Sequence, residues 1–162
     1  MIKKKTLVEK FLDKQGIYYE SINYSTHLEE DVYVIDEDEI SPSMFKTLVL
    51  TGKNTGPIVG VIKISDRIDY KKISQITGNK KVGMVPLKNL FLTSGYLHGE
   101  NTPIGIYRNK HFKIYYDKSV NNFKKIIVSA GEIGKMMKIS VEDLILITEG
   151  TIVDIAERND YV

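Results

Sequence analysis

The chain has 162 residues, 42% of them hydrophobic and 27% charged, with a net charge of +2, enough for one filled core and unlike a disordered or low-complexity polymer. It contains no cysteine, which excludes a disulfide framework, a thiolate nucleophile and a Cys-ligated metal. No apolar run is long enough to cross a bilayer, and Met1 to Lys5 has no apolar signal core behind it, so one domain over residues 1–162, in the cytoplasm and away from membranes, is expected.

Leu7, Val8, Phe11 and Leu12 recur as one helical face between Thr6 and Gln15, and Gly16 is placed to end that helix. Ile17 to Tyr24 is aromatic and β-branched and predicts a strand. From Glu29 to Pro42 an acidic run meets the apolar patch Val32-Tyr33-Val34-Ile35, a pattern that fits a short strand or an irregular excursion equally. Phe45 to Thr51 and Pro57 to Ile64 predict adjacent antiparallel strands around the loop Gly52-Lys53-Asn54-Thr55-Gly56. Asp69 and Gly78 bracket a helix over 70–77. Val82 to Val85 predicts a strand, and Pro86 suits the first turn of a helix running to about Thr93. Beyond the next glycine-rich stretch, Lys113 to Tyr116 and Lys124 to Ser129 predict strands, Ser140-Val141-Glu142-Asp143 opens a helix through Thr148 with a capping-box pattern, and Thr151 to Ile155 predicts a last strand. Without a regular βαβ period the expected fold is α/β of the mixed, α+β-like kind: a central, largely antiparallel mixed sheet with peripheral helices.

Charge is uneven along the chain. Lys46 to Lys138 holds 17 Lys and Arg against 5 Asp and Glu, a net +12, while the acids concentrate in Glu29-Glu30-Asp31 and Asp36-Glu37-Asp38-Glu39. Such a segment is either a solvated lysine-rich surface or a source of phosphate contacts.

Three pieces are candidates for one pocket. Ser94 to Gly105 reads S-G-Y-L-H-G-E-N-T-P-I-G, with three glycines and a Thr-Pro step that turn the backbone repeatedly and offer its N–H and C=O groups to a ligand. Ser129-Ala130-Gly131-Glu132-Ile133-Gly134 has the same character. Lys46 sits inside an apolar strand, where alternation puts it on one face with Leu48 and Leu50. Its ammonium either occupies a polar pocket at the core margin or snorkels from a strand end into water. His27, His98 and His111 lack metal-ligand spacing, and no nucleophile elbow is present.

Phe45-Lys46-Thr47-Leu48, the segment Gly95-Tyr96-x-x-Gly99-x-x-Thr102-Pro103-Ile104-Gly105 and Ser129-x-Gly131-x-x-Gly134 together resemble the three signature segments of the YbaK/EbsC family, freestanding prolyl-tRNA editing proteins similar to the editing domain of bacterial prolyl-tRNA synthetase. The resemblance spans nearly the whole chain. It implies the editing-domain fold and an aminoacyl-tRNA deacylase that hydrolyses the ester of mischarged tRNA, namely tRNA(Pro) carrying Cys or Ala, without cofactor or metal. Lys46 would act catalytically by anchoring the acylated acceptor end, and Gly95, Gly99, Glu100, Thr102, Pro103, Gly105, Ser129 and Gly131 would bind substrate. The implied partners are the aminoacyl-tRNA and a prolyl-tRNA synthetase, with the protein a monomer or homodimer. The chain departs from the pattern at Glu100 and Ala130, where many members have glycine, and has Met136 where cysteine-selective members tend to have an acid. Those departures motivate an alternative, a catalytically inactive tRNA- or synthetase-binding module of the same fold.

Overall fold

The computed structural model describes residues 4–30 and 32–157. Helix α1 (Leu7–Gln15) starts where the Thr6 hydroxyl accepts the Glu9 N–H and the Glu9 carboxylate accepts the Thr6 N–H, a reciprocal cap, and stops at Gly16 with φ 69°. Strand β1 (Tyr19–Asn23) follows, then a hairpin of β2 (Thr26–Glu29) and β3 (Val32–Ile35). The segment that the sequence left open between strand and irregular chain is thus a strand followed by a short 3-10 turn at Glu37–Glu39.

Strands β4 (Phe45–Gly52) and β5 (Ile58–Lys63) pair antiparallel as expected around the glycine-flanked loop, with Phe45 opposite Lys63 and Leu50 opposite Ile58. Helix α2 (Tyr70–Thr77) lies between the Asp69 cap and Gly78. Strand β6 (Val82–Met84) leads to α3 (Leu87–Ser94), with Pro86 at the N-cap rather than inside the first turn. Helix α4 (Pro103–Lys110) falls where the sequence suggested continuous loop: Thr102 caps it and Pro103 occupies its first position. Strand β7 (Ile114–Asp117), a 3-10 turn at Lys118–Asn122, β8 (Lys125–Glu132), β9 (Lys135–Ser140), α5 (Val141–Thr148) and β10 (Thr151–Val153) complete the order. Strand β9 was not predicted, and β10 ends two residues earlier than expected.

The strands form a five-stranded mixed sheet in the order β10-β7-β5-β4-β6, a three-stranded antiparallel sheet β1-β9-β8 and the β2-β3 hairpin. One face of β4 and β5 (Phe45, Val49, Val59, Val61) packs against Val128, Ala130 and Met137 of the three-stranded sheet and against Ile104 and Leu144 of the helices. The opposite face (Leu50, Ile58, Ile62) packs on Ile73 of α2 and on Ile155. Burial on both faces explains why β5 is an unbroken apolar run rather than an alternating one.

The two sheets leave a gap along β4. On that side β6 pairs only with residues 50–52, with the Val85 N–H just beyond it donating to the Val49 carbonyl, while the backbone of β8 meets this chain just ahead of β4, in an isolated bridge from Ile127 to Met44. Between these contacts no strand among the described residues covers the edge of β4.

Candidate active site

A cavity of about 380 Å³ opens at this gap. All five residues from Phe45 to Val49 line it, so it wraps around the uncovered edge of β4. Ser129 of β8 and Met136 of β9 form one wall, and Leu90, His98, Gly99 and Asn101 form another. The hairpin closes over it with Tyr33, Val34 and Ile35, followed by Ile40. The acidic stretch therefore carries the apolar roof of the cavity on its β3 segment.

Lys46 lines the cavity and is half-buried. Its pKa is lowered, chiefly by desolvation, which Asp66 partly opposes and Arg67 reinforces. Lys46 belongs to none of the salt bridges among the described residues. No carboxylate of a described residue lines the cavity, so a half-desolvated ammonium borders a mostly apolar space and attracts anionic groups there.

The Ser129 side chain hydrogen-bonds the two glycine-rich segments together. The Ser129 hydroxyl donates to the Glu100 carbonyl at 3.0 Å and accepts the Gly131 N–H at 3.1 Å. Gly131 needs its glycine, with φ 101° at the irregularity that ends the regular β8–β9 register. On the other side the Ser94 hydroxyl donates to the Asn101 side-chain oxygen at 2.8 Å in a buried contact, which holds Asn101 at the cavity wall.

Of the residues expected to act on or bind substrate, Lys46, Gly99 and Ser129 line the cavity together. The others stand behind it. Gly95 is the left-handed C-cap of α3. The Glu100 carboxylate accepts the Leu97 N–H at 3.0 Å and so closes its own turn. Thr102 and Pro103 are buried at the start of α4. Gly105 lies in that helix beneath Tyr96, whose hydroxyl leaves no room for a Cβ at this position. Ala130 is fully buried in the core with an unstrained backbone and does not reach the cavity.

Sequence reasoning missed Thr47, His98, Asn101 and the hairpin roof. Thr47 adds a polar atom to the floor beside Lys46: its Oγ1 is buried with no hydrogen-bond partner among the described residues. Because Val49 turns its carbonyl to β6, strand alternation turns the Thr47 backbone toward the uncovered edge as well. His98 has its pKa lowered by desolvation although much of the residue reaches solvent. Among the described residues no group of three or more His, Asp or Glu is placed to hold a metal, and no helix is long and apolar enough to cross a membrane.

The mixed sheets, the apolar cavity and the lysine at its margin define an α/β fold with a cationic group beside an apolar pocket. The chain belongs to the aminoacyl-tRNA editing domain family, whose model matches residues 35–147. It is 39% identical over 115 residues to EbsC of Enterococcus faecalis, a protein designated a Cys-tRNA(Pro)/Cys-tRNA(Cys) deacylase; the match covers 71% of this chain and 69% of that one. Its fold matches a crystal structure described as a trans-editing enzyme for prolyl-tRNA synthetase, with TM-score 0.74, 15% identity and 93% and 95% of the two chains covered. A second crystal structure, described only as a hypothetical protein, matches with TM-score 0.75 and 17% identity over 93% of this chain and 99% of that one.

Proposed function

We propose that the protein is an aminoacyl-tRNA deacylase, formed by a single editing domain, that hydrolyses the ester of tRNA(Pro) mischarged with Cys or Ala, in the cytoplasm. The observation that carries this reading is the meeting of Lys46, Gly99 and Ser129 at one cavity in a chain of the editing family. The aminoacyl group enters the apolar cavity and Lys46 anchors the phosphate or ribose oxygens at its margin. Glycine-loop backbone groups hold the ester.

Water supplies the nucleophile. The Ser129 hydroxyl is committed to the Glu100 carbonyl, so it is not poised to attack. Water adds to the ester carbonyl, the bond to the ribose oxygen breaks, that oxygen takes up a proton, and the amino acid leaves. Positioning and preorganised dipoles contribute much of such a rate. Glu100 and Ala130, which motivated an inactive module, both stay out of the cavity, so neither blocks it. A prolyl-tRNA synthetase as partner and a monomeric or homodimeric state complete the proposal.

The test is a deacylation assay on a panel of mischarged tRNAs with wild type, Lys46→Ala and Lys46→Arg. Wild type is expected to release Cys or Ala from tRNA(Pro). Both variants are expected to lose at least about a hundredfold in rate, about 2.7 kcal/mol of transition-state stabilisation, with unchanged melting; a planar guanidinium does not replace a compact point charge. An active Lys46→Ala variant, or a wild type inert toward every ester, refutes the assignment.

A further inference from the structure

A second depression lies behind the cavity floor. It is an open groove of about 560 Å³ lined by Ser43, Asn122, Phe123, Lys124, Lys125 and Lys138, with Pro42 at its rim. Phe123 sets its ring edge-on against Phe45 at 6.0 Å between centroids, and Phe45 in turn lines the cavity. Groove and cavity therefore share the strand entry from Ser43 to Phe45. Lys63, the register partner of Phe45, places its ammonium 5.8 Å from the Phe123 ring centroid and adds a fourth positive charge. No carboxylate of a described residue lines the groove. Glu20 places a carboxylate oxygen 3.9 Å from the Lys125 ammonium, which also covers Tyr18 at 5.1 Å.

Four lysines thus stand around a partly exposed aromatic ring, and of these the described ion pairs neutralise Lys125 alone, through Glu20. An anionic chain carrying flat apolar groups at intervals matches this combination, and single-stranded RNA has that chemistry: lysines meet its phosphates and an aromatic ring seats a base or ribose. We propose that the groove binds the unpaired nucleotides that precede the aminoacylated terminal nucleotide, with Lys124 and Lys138 on their phosphates and Phe123 beneath a base. The placement rests on the reading that the cavity takes the acylated end. It makes the protein a two-part reader, with the cavity for the amino acid and the groove for the strand delivering it.

The test separates the two parts. Binding of a single-stranded RNA oligonucleotide that carries no amino acid is measured by fluorescence anisotropy against salt for the full chain, the double variant Lys124→Ala/Lys138→Ala, and the charge-matched control Lys80→Ala/Lys81→Ala beside β6, at the opposite end of β4 from Ser43. Each lost phosphate contact removes about 0.7 from the log–log salt slope. The groove variant is expected to lose about 1.4 from that slope and to bind about tenfold more weakly, with the control near wild type. Deacylation of full-length aminoacyl-tRNA is expected to fall through KM in the groove variant, while hydrolysis of an aminoacyl ester of adenosine alone is unchanged. Equal effects of both double variants on RNA binding, no effect of either, or equal loss on tRNA and on the adenosine ester overturns the groove. So does an acidic peptide that competes as well as RNA. Failure of wild type to hydrolyse any ester refutes the editing reading but leaves the binding measurement to decide the groove.

Discussion

Gly99 packs its bare α-carbon against the main-chain carbonyl of Tyr33: a Cβ there would lie 3.1 Å from that oxygen and 3.2 Å from the Ile133 side chain. This contact seats the hairpin roof on the loop that lines the cavity. Gly99 also has φ 89°, which a side chain adopts at a cost of about 1–2 kcal/mol. Gly99→Ala is expected to lower stability by about that amount and to raise KM, because the roof must shift. Gly16→Ala carries a similar backbone cost at φ 69° with nothing within 4 Å of its Cβ, so it should destabilise and leave KM alone. Matching kinetics for the two variants would show that the roof contact has no bearing on substrate.

Thr47 keeps a buried hydroxyl without a partner, and such a group costs about 1–3 kcal/mol. Thr47→Val removes the polar atom at nearly constant volume and is expected to stabilise the free protein by about 1 kcal/mol in denaturant unfolding. If the bound ester or amino acid satisfies that hydroxyl, kcat/KM should fall about tenfold in the same variant, equivalent to about 1.4 kcal/mol. Gain of stability with loss of activity is the expected pairing; lower stability would mean that the hydroxyl has a partner in solution.

Glu100 closes its own turn through the Leu97 N–H rather than reaching into the cavity. Glu100→Gln retains an acceptor oxygen for that bond and is expected to keep kcat/KM within about threefold of wild type, below about 0.7 kcal/mol. A drop beyond tenfold, confined to substrates with a free α-ammonium and absent for N-acetylated ones, would instead place the carboxylate on the substrate amine.

The two histidines around the cavity are expected to titrate on opposite sides of the ordinary value near 6.5. His27, on the hairpin, contacts Glu29 at 2.9 Å and Asp36 at 2.6 Å, and these carboxylates raise its pKa, Glu29 more than Asp36. Its contribution to the hairpin is complete below the unfolded value and lost as pH rises through the raised one. His98 is pushed the other way by desolvation, so its penalty appears only as pH falls below the unfolded value. NMR titration of the two rings checks the directions. Amide exchange in β2 and β3, corrected for intrinsic rate, should show the roof loosening on the alkaline side; a pH-independent hairpin would remove His27 from its support.

Most elements were legible because their signals are local. Asp69 and Gly78 bracket α2, and the Gly52–Gly56 loop sets the β4–β5 pairing. Helix α4 was missed because Thr102-Pro103 serves both a turn and a helix start, and its glycine reads as loop although Gly105 is there to admit Tyr96. Strand β9 was missed because Met136, Met137 and Ile139 are all buried, which breaks the alternation expected of a half-exposed strand. Lys46, Gly99 and Ser129 carry the family motif and were found; Thr47 sits in the same motif without a role that its sequence signals, and His98 and Asn101 owe their places to tertiary contacts that no spacing encodes.

The uncovered stretch of β4 has a second consequence. An unpaired strand edge is a template for another chain's backbone, and exposed edges of this kind lead to aggregation. Here the edge is recessed, with the hairpin and the Ser94–Asn101 loop standing as guards on either side of it. The walls that shape the cavity also keep a sticky seam of the sheet from other copies of the protein, so variants that detach the hairpin should become prone to self-association before they unfold.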